Sequence, residues 1–314
     1  MSPRAPDTIR AGLIAAAERP LAQFNENLPK TVGGDAYDGI HDVRVALRRL
    51  GALLRAFSPV LPPREVDDIK REIRWMRREF GPARDLDVFI HETGPELSAI
   101  FGGETGLPAL LEVAKTRRAP LATRLDKAIR GRRCKAFASM LSRTFGREND
   151  DALAKRRRRT RGRSPRPTLA SAFAPFAHAE LRRRYKKLRK GAERIDKLEE
   201  EELHRMRIRL RNFRYVCDGF RVLLPEGRYL ALRSAMTKLQ DHMGALNDAV
   251  TAPLLVANLA ANADHKLDPA ALARAAGFVA GWGAARRQVL RATLDDPWRA
   301  MIKRADRMFV VLKD

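Results

Sequence analysis

The sequence predicts an all-α protein made of two related helical halves, and three observations support this prediction. Ala and Leu are abundant whereas aromatic residues make up only 6% of the chain, a composition that favours helix over sheet. No segment of strand length shows the alternation of apolar and polar residues that is typical of a half-buried strand. The chain also repeats itself once, at an offset of 163 residues. We therefore expect about one helical bundle in each half.

The repeat is clearest where residues 40–48 are aligned with residues 203–211. The identical pairs in this register are His41/His204, Arg44/Arg207, Leu47/Leu210, Arg48/Arg211, Phe57/Phe220, Leu61/Leu224, Pro62/Pro225, Gly81/Gly244 and Asp85/Asp248. Nine identities over about 45 residues without a gap indicate an internal duplication.

In the first half, apolar periodicity predicts helices over residues 7–28, 36–58, 64–79, 84–92, 107–130 and 133–145. The apolar stretch Ala11–Ala17, flanked by charged residues, fits the first turns of the first helix. Pro20 and Pro120 are expected to kink their helices. Gly81 is expected to end the third helix, and Asp85 either caps the fourth or orients a cation.

In the second half, the same pattern predicts helices over residues 168–192, 199–223, 228–243, 248–263, 268–293 and 296–311. Gly244 and Asp248 are expected to repeat the roles of Gly81 and Asp85. Between the halves, residues 155–167 hold many like charges and no apolar side chain, which predicts a mobile linker. A direct role of this linker in binding a polyanion stays open. The predicted division is residues 1–147, 148–167 and 168–314.

The charge balance points to a polyanionic partner. Lys and Arg number 62 against 38 Asp and Glu, which gives a net charge of +24 at pH 7. The two cysteines, Cys134 and Cys217, exclude a disulfide scaffold or a four-cysteine zinc site. No apolar run approaches the roughly 18 residues of a membrane span, and the N-terminus is a poor signal peptide. We therefore expect an intracellular protein with no membrane attachment.

The helix that begins near residue 35 carries a cationic row opposite its apolar stripe. The stripe predicted to face the core holds Leu47, Leu50, Leu54, Phe57 and Leu61. At i, i+3 and i+7, His41, Arg44 and Arg48 lie in one row with Arg55 beside it, and the second copy repeats the row with His204, Arg207, Arg211 and Arg214. Such a row repels itself unless an anion neutralises it, and neither stretch offers carboxylates at suitable spacing. An anionic ligand is the simplest explanation, because Arg binds phosphate oxygens through two parallel hydrogen bonds.

The next helix adds cations to the same face. Lys70, Arg74 and Arg77 lie at i, i+4 and i+7, with Arg71 and Arg78 close by. The corresponding helix of the second copy has fewer cations, because its residues there are Arg233, Thr237, Lys238 and Gln240. A lopsided site is therefore predicted.

Catalytic functions find little support in the sequence. His41-Asp42 is a doublet seen in metal-dependent phosphohydrolases, but Arg205 takes the Asp position in the second copy and the surrounding cations would repel a divalent metal. Neither a nucleophile beside a His nor a Gly-rich phosphate loop is present. We therefore expect no enzymatic activity, no metal and no cofactor.

Three stretches resemble the signatures of the CHAD family, whose name stands for conserved histidine α-helical domain. They are residues 41–50, residues 81–88 and residues 203–215. The resemblance implies two four-helix bundles related by a pseudo-twofold axis, with a basic groove or pore between them that binds inorganic polyphosphate, and an association with polyphosphate granules. It assigns polyphosphate contact to His41, Arg44, Arg48, His204, Arg207, Arg211 and Arg214, with Lys70, Arg74, Arg77, Arg84 and Lys238 as additions. Gly51 departs from the family pattern, which usually has a basic residue there.

The sequence thus predicts a non-enzymatic polyphosphate-binding protein of the cytoplasm, associated with polyphosphate granules. The alternative is a nucleic-acid-binding protein, because the same cations would neutralise a DNA or RNA backbone. Sparse aromatic residues and the absence of a recognisable nucleic-acid module disfavour this alternative. Oligomeric state and preferred polyphosphate chain length stay open.

Overall fold

The computed structural model is all-α and describes residues 5–32, 36–146, 167–192 and 195–311. Within these ranges no strand forms, and the only β-type pairing is an isolated bridge between Thr8 and Ala172. The helices are α1 (Ile9–Asn27), α2 (Tyr37–Phe57), α3 (Pro63–Val88), α4 (Gly94–Ile100), α5 (Gly106–Arg130), α6 (Arg132–Phe145), α7 (Phe173–Ala192), α8 (Glu200–Gly219), α9 (Glu226–Ala261), α10 (Pro269–Ala292) and α11 (Asp295–Val311). The predicted fold class is confirmed. The predicted linker, residues 148–167, lies almost wholly outside the described residues.

The predicted apolar stripe of α2 is confirmed. Leu47, Leu50, Leu54 and Phe57 are fully buried, and Leu61 just beyond the helix is 7% exposed. The opposite face of α2 carries the arginines, which keeps the helix amphipathic. Burial of this stripe fixes the rotation of α2 and therefore the direction in which its arginines point.

The expectation that helices end at Gly81 and Gly244 was wrong. α3 runs through Gly81 to Val88, and α9 runs through Gly244 to Ala261. Neither glycine has a positive φ, the conformation that a glycine helix stop uses. A glycine inside a helix costs only about 1 kcal/mol, and the buried side chains on either side outweigh that cost.

The start of α7 also differs from the prediction, because the segment before it pairs with the N-terminal segment. The backbone N–H of Ile9 donates to the carbonyl of Ser171 at 2.9 Å, and that of Arg10 donates to the carbonyl of Leu169 at 2.9 Å. Residues 168–171 form a turn, closed by the N–H of Ser171 donating to the carbonyl of Thr168 at 2.9 Å, so the helix begins at Phe173 rather than at residue 168.

In the described part of the chain two apolar clusters form the interior, and each takes side chains from helices before residue 147 and from helices after residue 166. The larger cluster includes α1, α2 and α3 together with α7, α8, α11 and the first part of α9. The smaller cluster joins the end of α3, α4 and α5 to α10 and the last part of α9. The two halves of the sequence thus share their cores.

The repeated helices α2 and α8 pack against each other at the centre of the larger cluster. Phe57 and Phe220, which are equivalent in the repeat, meet edge to face with ring centroids 5.5 Å apart. A side chain at Gly219 would bring its Cβ to 2.9 Å from Leu53 Cδ2 of α2 and to 3.2 Å from the Cβ of Ala16 in α1, so this glycine leaves room for both side chains. Contact between equivalent residues is what a pseudo-twofold axis through this interface requires, and the axis itself stays a prediction.

Candidate anion-binding site

Packing of α2 on α8 brings Arg48 and Arg211, another equivalent pair, to the same place. Both side chains are half-buried. Desolvation, and then the charge of Arg48, lowers the pKa of Arg211 to about 10. Desolvation is also the main cause that lowers the pKa of Arg48, with Arg207 and Arg77 adding repulsion. Two guanidinium groups from opposite halves are therefore held together against their mutual repulsion.

Helix α3 places further arginines beside this pair. Desolvation, and then repulsion from Arg48, lowers the pKa of Arg44 to about 10, with Arg77 and Arg84 contributing. The guanidinium of Arg44 lies beside α3 at Gly81, where its Nη1 is 3.8 Å from the position that a Cβ would take. A surface depression of about 400 Å³ opens at this point, and its lining is Arg44, Arg74, Arg77, Arg78 and Gly81.

We call Arg44, Arg48, Arg77, Arg84, Arg207 and Arg211 the arginine cluster. In the described part of the chain, only Arg84 of this cluster has a carboxylate within salt-bridge distance. Arg48 Nε donates to the carbonyl of Arg44 at 3.2 Å, and Arg207 donates to the Asn247 side chain at 3.2 Å. Arg48 and Arg207 are therefore held by neutral acceptors, and in the described ranges Glu92, on Arg84, is the only carboxylate in direct contact with the cluster.

Two donors of the cluster lack any acceptor among the described residues. Nη1 of Arg84 and Nε of Arg211 are buried and without a hydrogen-bond partner. A buried donor without a partner costs about 1–3 kcal/mol. An anion that accepted hydrogen bonds from neighbouring atoms of the same guanidinium groups would offset part of this cost.

Asp85 and Asp248 lie inside α3 and α9, so neither caps a helix as one of the two predictions had it. Asp85 attracts Arg44 and Arg84, and Asp248 attracts Arg207. Desolvation raises the pKa of both carboxyl groups. The alternative prediction, that these residues orient cations, fits this arrangement.

Arg84 is the most constrained member of the cluster. It donates to Glu92 at 2.9 Å, and its guanidinium lies 4.8 Å from the centre of the Tyr37 ring. The Tyr37 hydroxyl donates to the same carboxylate. Glu92 lies in a π-helical segment, Phe89–Thr93, a feature that is often found at functional sites.

His41 is exposed at the edge of the cluster. Partial desolvation, and then the charges of Arg84 and Arg48, lower its pKa. The neighbouring Asp42 points away, because its carboxylate accepts a hydrogen bond from Gln23 at 3.0 Å. Among the described residues, no three His, Cys, Asp or Glu side chains are grouped so that they could hold a metal ion.

The second half places His204 and Arg207 on a pocket of about 230 Å³. Arg214 lies farther along α8, where it donates to Thr237 at 3.0 Å and covers the ring of Tyr215 at 5.5 Å. All four predicted residues of α8 thus follow one side of the helix, and Arg207 and Arg211 belong to the cluster itself.

The two predicted lysines are not brought to the cluster. Lys70 forms an ion pair with Asp67 at 3.3 Å, one turn back along α3. Lys238 is exposed, and no contact among the described residues connects it to the arginines. Both lysines lie on predicted helices, but the rotation of those helices directs other side chains of the same helices towards the cluster.

Three other residues near the cluster were not among the predicted ligands. Arg55 donates to Asn212 at 2.7 Å, and its pKa is lowered to about 10 by desolvation and then by Arg184. The buried ring of Tyr215 supports Arg49, whose guanidinium lies 5.9 Å from the ring centre. Arg55 continues the row of Arg48 seven residues on and was visible by spacing, whereas Tyr215 and Arg49 meet only through the packing of α2 on α8.

The sequence and the fold have clear relatives. A model of the CHAD domain family matches residues 15–257. The chain belongs to the CHAD domain family. The structure of the CHAD domain from the plant Ricinus communis is similar with a TM-score of 0.77 at 22% identity, over 96% of this chain and 94% of that one. PptA from Streptomyces chartreusis is similar with a TM-score of 0.62 at 17% identity, over 94% of this chain and 100% of that one.

No curated protein sequence matches this chain. At the identities of the two structural relatives, the similarity establishes the CHAD fold. Among the described residues, no helix has the length and apolar character needed to cross a membrane.

Proposed function

We propose that this CHAD-family protein binds inorganic polyphosphate at the arginine cluster and does not chemically change it. The observation that carries the proposal is the charge of the cluster: five of its six arginines have no carboxylate within salt-bridge distance in the described part of the chain. Keeping these groups together costs desolvation and repulsion, which an anionic ligand would offset.

A ligand with many closely spaced charges suits this geometry better than a single small anion. The cluster takes its arginines from three helices, α2, α3 and α8, and Arg48 and Arg211 come from opposite halves of the repeat. Guanidinium groups bind phosphate oxygens through paired, charge-assisted hydrogen bonds. A linear chain of phosphates would engage several arginines along one path.

The aromatic side chains near the cluster favour polyphosphate over single-stranded nucleic acid. Proteins that bind single strands stack bases on accessible rings. Tyr215 is only 5% exposed, and Tyr37 is covered by Arg84 and by His91, whose ring centroid lies 4.7 Å from that of Tyr37. The rings at this site therefore support arginines instead of offering a stacking surface.

Fluorescence titration with long-chain polyphosphate and with a charge-matched DNA duplex tests the proposal. Both titrations are repeated at roughly 50 mM and 200 mM salt, because counterion release makes the affinity for a polyanion salt-dependent. We expect polyphosphate to bind at least about tenfold more tightly than the duplex at both salt concentrations. Equal affinities and equal salt slopes would reduce the site to nonspecific charge, and tighter duplex binding would favour the nucleic-acid alternative.

For Arg→Ala variants of the arginine cluster, the matched control is Arg143→Ala. Arg143 is exposed on α6, and its substitution removes the same charge. We expect this variant to bind polyphosphate within about twofold of the parent.

Incubation of polyphosphate with Mg²⁺ or Mn²⁺ and the protein tests the absence of catalysis, and release of phosphate would overturn that part of the proposal. Fluorescent tagging in cells that accumulate polyphosphate tests the proposed association with cytoplasmic granules.

A further inference from the structure

The pocket beside His204 has a character that inorganic polyphosphate does not explain. Its floor is apolar and is formed by Leu203, Met243, Leu246 and Val250 from α8 and α9. Three of these side chains are less than 8% exposed. Inorganic polyphosphate has no apolar part that could cover such a floor.

Polar groups surround the apolar floor at its rim. They are Glu200, His204, Arg207, Asn247, Thr251, Arg287 and Arg291. Arg287 pairs with Glu200, and Arg291 donates to the carbonyl of Leu198, so both guanidinium planes are held at the rim. An apolar floor with a few convergent polar groups is typical of a site for a small organic ligand.

Arg207 connects this pocket to the arginine cluster. It lines the pocket, and its charge contributes to the lowered pKa of both Arg48 and Arg211. His204 lies one turn before Arg207 on the same side of α8. An organic group in the pocket could therefore carry phosphates that extend past His204 and Arg207 towards the cluster.

We propose that this pocket binds the base of a nucleoside polyphosphate, with the phosphates on Arg207 and the arginine cluster. A flat base would cover the apolar floor, and guanidinium planes at the rim can stack on it. Asn247 and Thr251 provide an amide and a hydroxyl for the polar edge of a base, which an acyl chain would leave unpaired. The inference rests on the proposed function for its phosphate part, because Arg207 belongs to both sites.

The first test compares ATP with inorganic tripolyphosphate by isothermal titration calorimetry, without divalent metal and at constant ionic strength. The two ligands have the same number of phosphates, and ATP carries no more negative charge. Burial of the base is expected to make ATP bind at least about tenfold more tightly. Equal or weaker binding of ATP would overturn the inference.

The second test fills the pocket and keeps every cation. Thr251→Trp places a large ring at the exposed rim position of α9, and Leu254→Trp is the matched control one turn on, where Leu254 is 67% exposed and outside the pocket. We expect Thr251→Trp to remove the advantage of ATP and to leave tripolyphosphate affinity within about twofold, whereas Leu254→Trp changes neither. Retained ATP preference in Thr251→Trp, or an equal loss for both ligands, would overturn the assignment.

Titration of the parent protein with long-chain polyphosphate, tripolyphosphate and ATP separates this inference from the proposed function. If the parent protein binds polyphosphate but shows no preference for ATP over tripolyphosphate, only the pocket assignment fails. If the parent binds neither polyphosphate nor tripolyphosphate, the proposed function fails, and an ATP preference would then have to come from a site that does not involve the arginine cluster.

Discussion

The two copies of the repeat keep the same arginines on their first helices and differ on their second. Arg44 and Arg48 on α2 correspond to Arg207 and Arg211 on α8. On the following helix, the equivalents of Arg74, Arg77, Arg78 and Arg84 are Thr237, Gln240, Asp241 and Asn247. The same scaffold is thus densely cationic in one copy and largely neutral in the other.

The consequence is visible in what holds the arginines of each copy. In the second copy, Arg207 donates to Asn247 and Arg214 donates to Thr237, so each has a neutral acceptor on α9, although the Nε of Arg214 stays without a partner among the described residues. In the first copy, Arg44 is attracted by Asp85 but is repelled by Arg48, Arg77 and Arg84. The comparison teaches that the first copy depends more on a ligand for neutralisation, and that the predicted lopsidedness follows from the second helix of each copy.

The largest effect is expected when the arginines common to both copies are removed together. Arg48→Met with Arg211→Met keeps the apolar stems and removes two charges where α2 meets α8. Hydrogen bonds to charged groups contribute about 1.5–3 kcal/mol each, so polyphosphate affinity should fall about 100-fold or more. The dependence of affinity on salt should also weaken, because fewer counterions are released.

Thermal unfolding of the double variant, measured by circular dichroism, provides the check on folding. We expect the melting temperature to stay the same or rise, because two mutually repelling charges are removed. A lower melting temperature with unchanged affinity would mean that these arginines have a structural role only.

The next comparison sets Arg44→Ala against Arg207→Ala. Each is expected to weaken polyphosphate binding by about 1–3 kcal/mol. Their stabilities should differ: Arg44→Ala relieves repulsion, whereas Arg207→Ala breaks the bond to Asn247 and is expected to cost about 0.5–1.5 kcal/mol. Titration and urea unfolding of both variants measure the two quantities, and identical stability changes would contradict the difference between the copies.

A smaller effect is expected from Arg77→Gln, which gives α3 the residue that α9 has at the equivalent position. Arg77 is exposed, and its charge acts on Arg44, Arg48, Arg55 and Arg211. We expect about a tenfold loss of polyphosphate affinity and no loss of stability. Arg143→Gln is the matched control, and an equal loss in both variants would show that only net charge matters.

The smallest effect is expected from pH acting on His41. In the free protein its pKa lies below the usual range, because desolvation and the charges of Arg84 and Arg48 disfavour protonation. Protonation therefore lowers the stability of the free fold as pH falls, whereas a bound polyanion favours the protonated form. Polyphosphate affinity should rise a few-fold from about pH 8 to about pH 6, with proton uptake on binding. His41→Gln should reduce this rise, and an unchanged pH dependence would exclude His41 as its source.

Much of the fold could be predicted because the apolar stripe of α2 fixes both the helix and its rotation. Leu47, Leu50 and Leu54 are buried as expected, so the row that contains Arg44 and Arg48 could be read from spacing alone. The continuation of α3 through Gly81 and of α9 through Gly244 could not be predicted, because the helix propensity of glycine is a weak effect compared with the packing of the helix on either side of it.

The limits of the site prediction have a similar cause. The position of Lys70 in the row of Arg74 and Arg77 was correct as sequence spacing, yet its side chain pairs with Asp67 instead. The rings of Tyr215 and Tyr37 support arginines that are distant in the sequence, and no local pattern signals such contacts. The pocket beside His204 is lined by side chains from three helices, and its apolar floor comes from two of them. The sequence of a single helix therefore could not reveal it.

The unbroken length of α9 has a consequence for how the molecule unfolds. With 36 residues it is about 54 Å long, and it passes from the larger apolar cluster, at Leu239, to the smaller one, at Val256 and Leu259. Because helix formation is cooperative, unfolding of α9 in one cluster also removes the side chains that α9 packs into the other cluster. We therefore expect the two apolar clusters to unfold together. A ligand that stabilises the fold beside Arg211 should then slow hydrogen exchange as far away as the amides of α10.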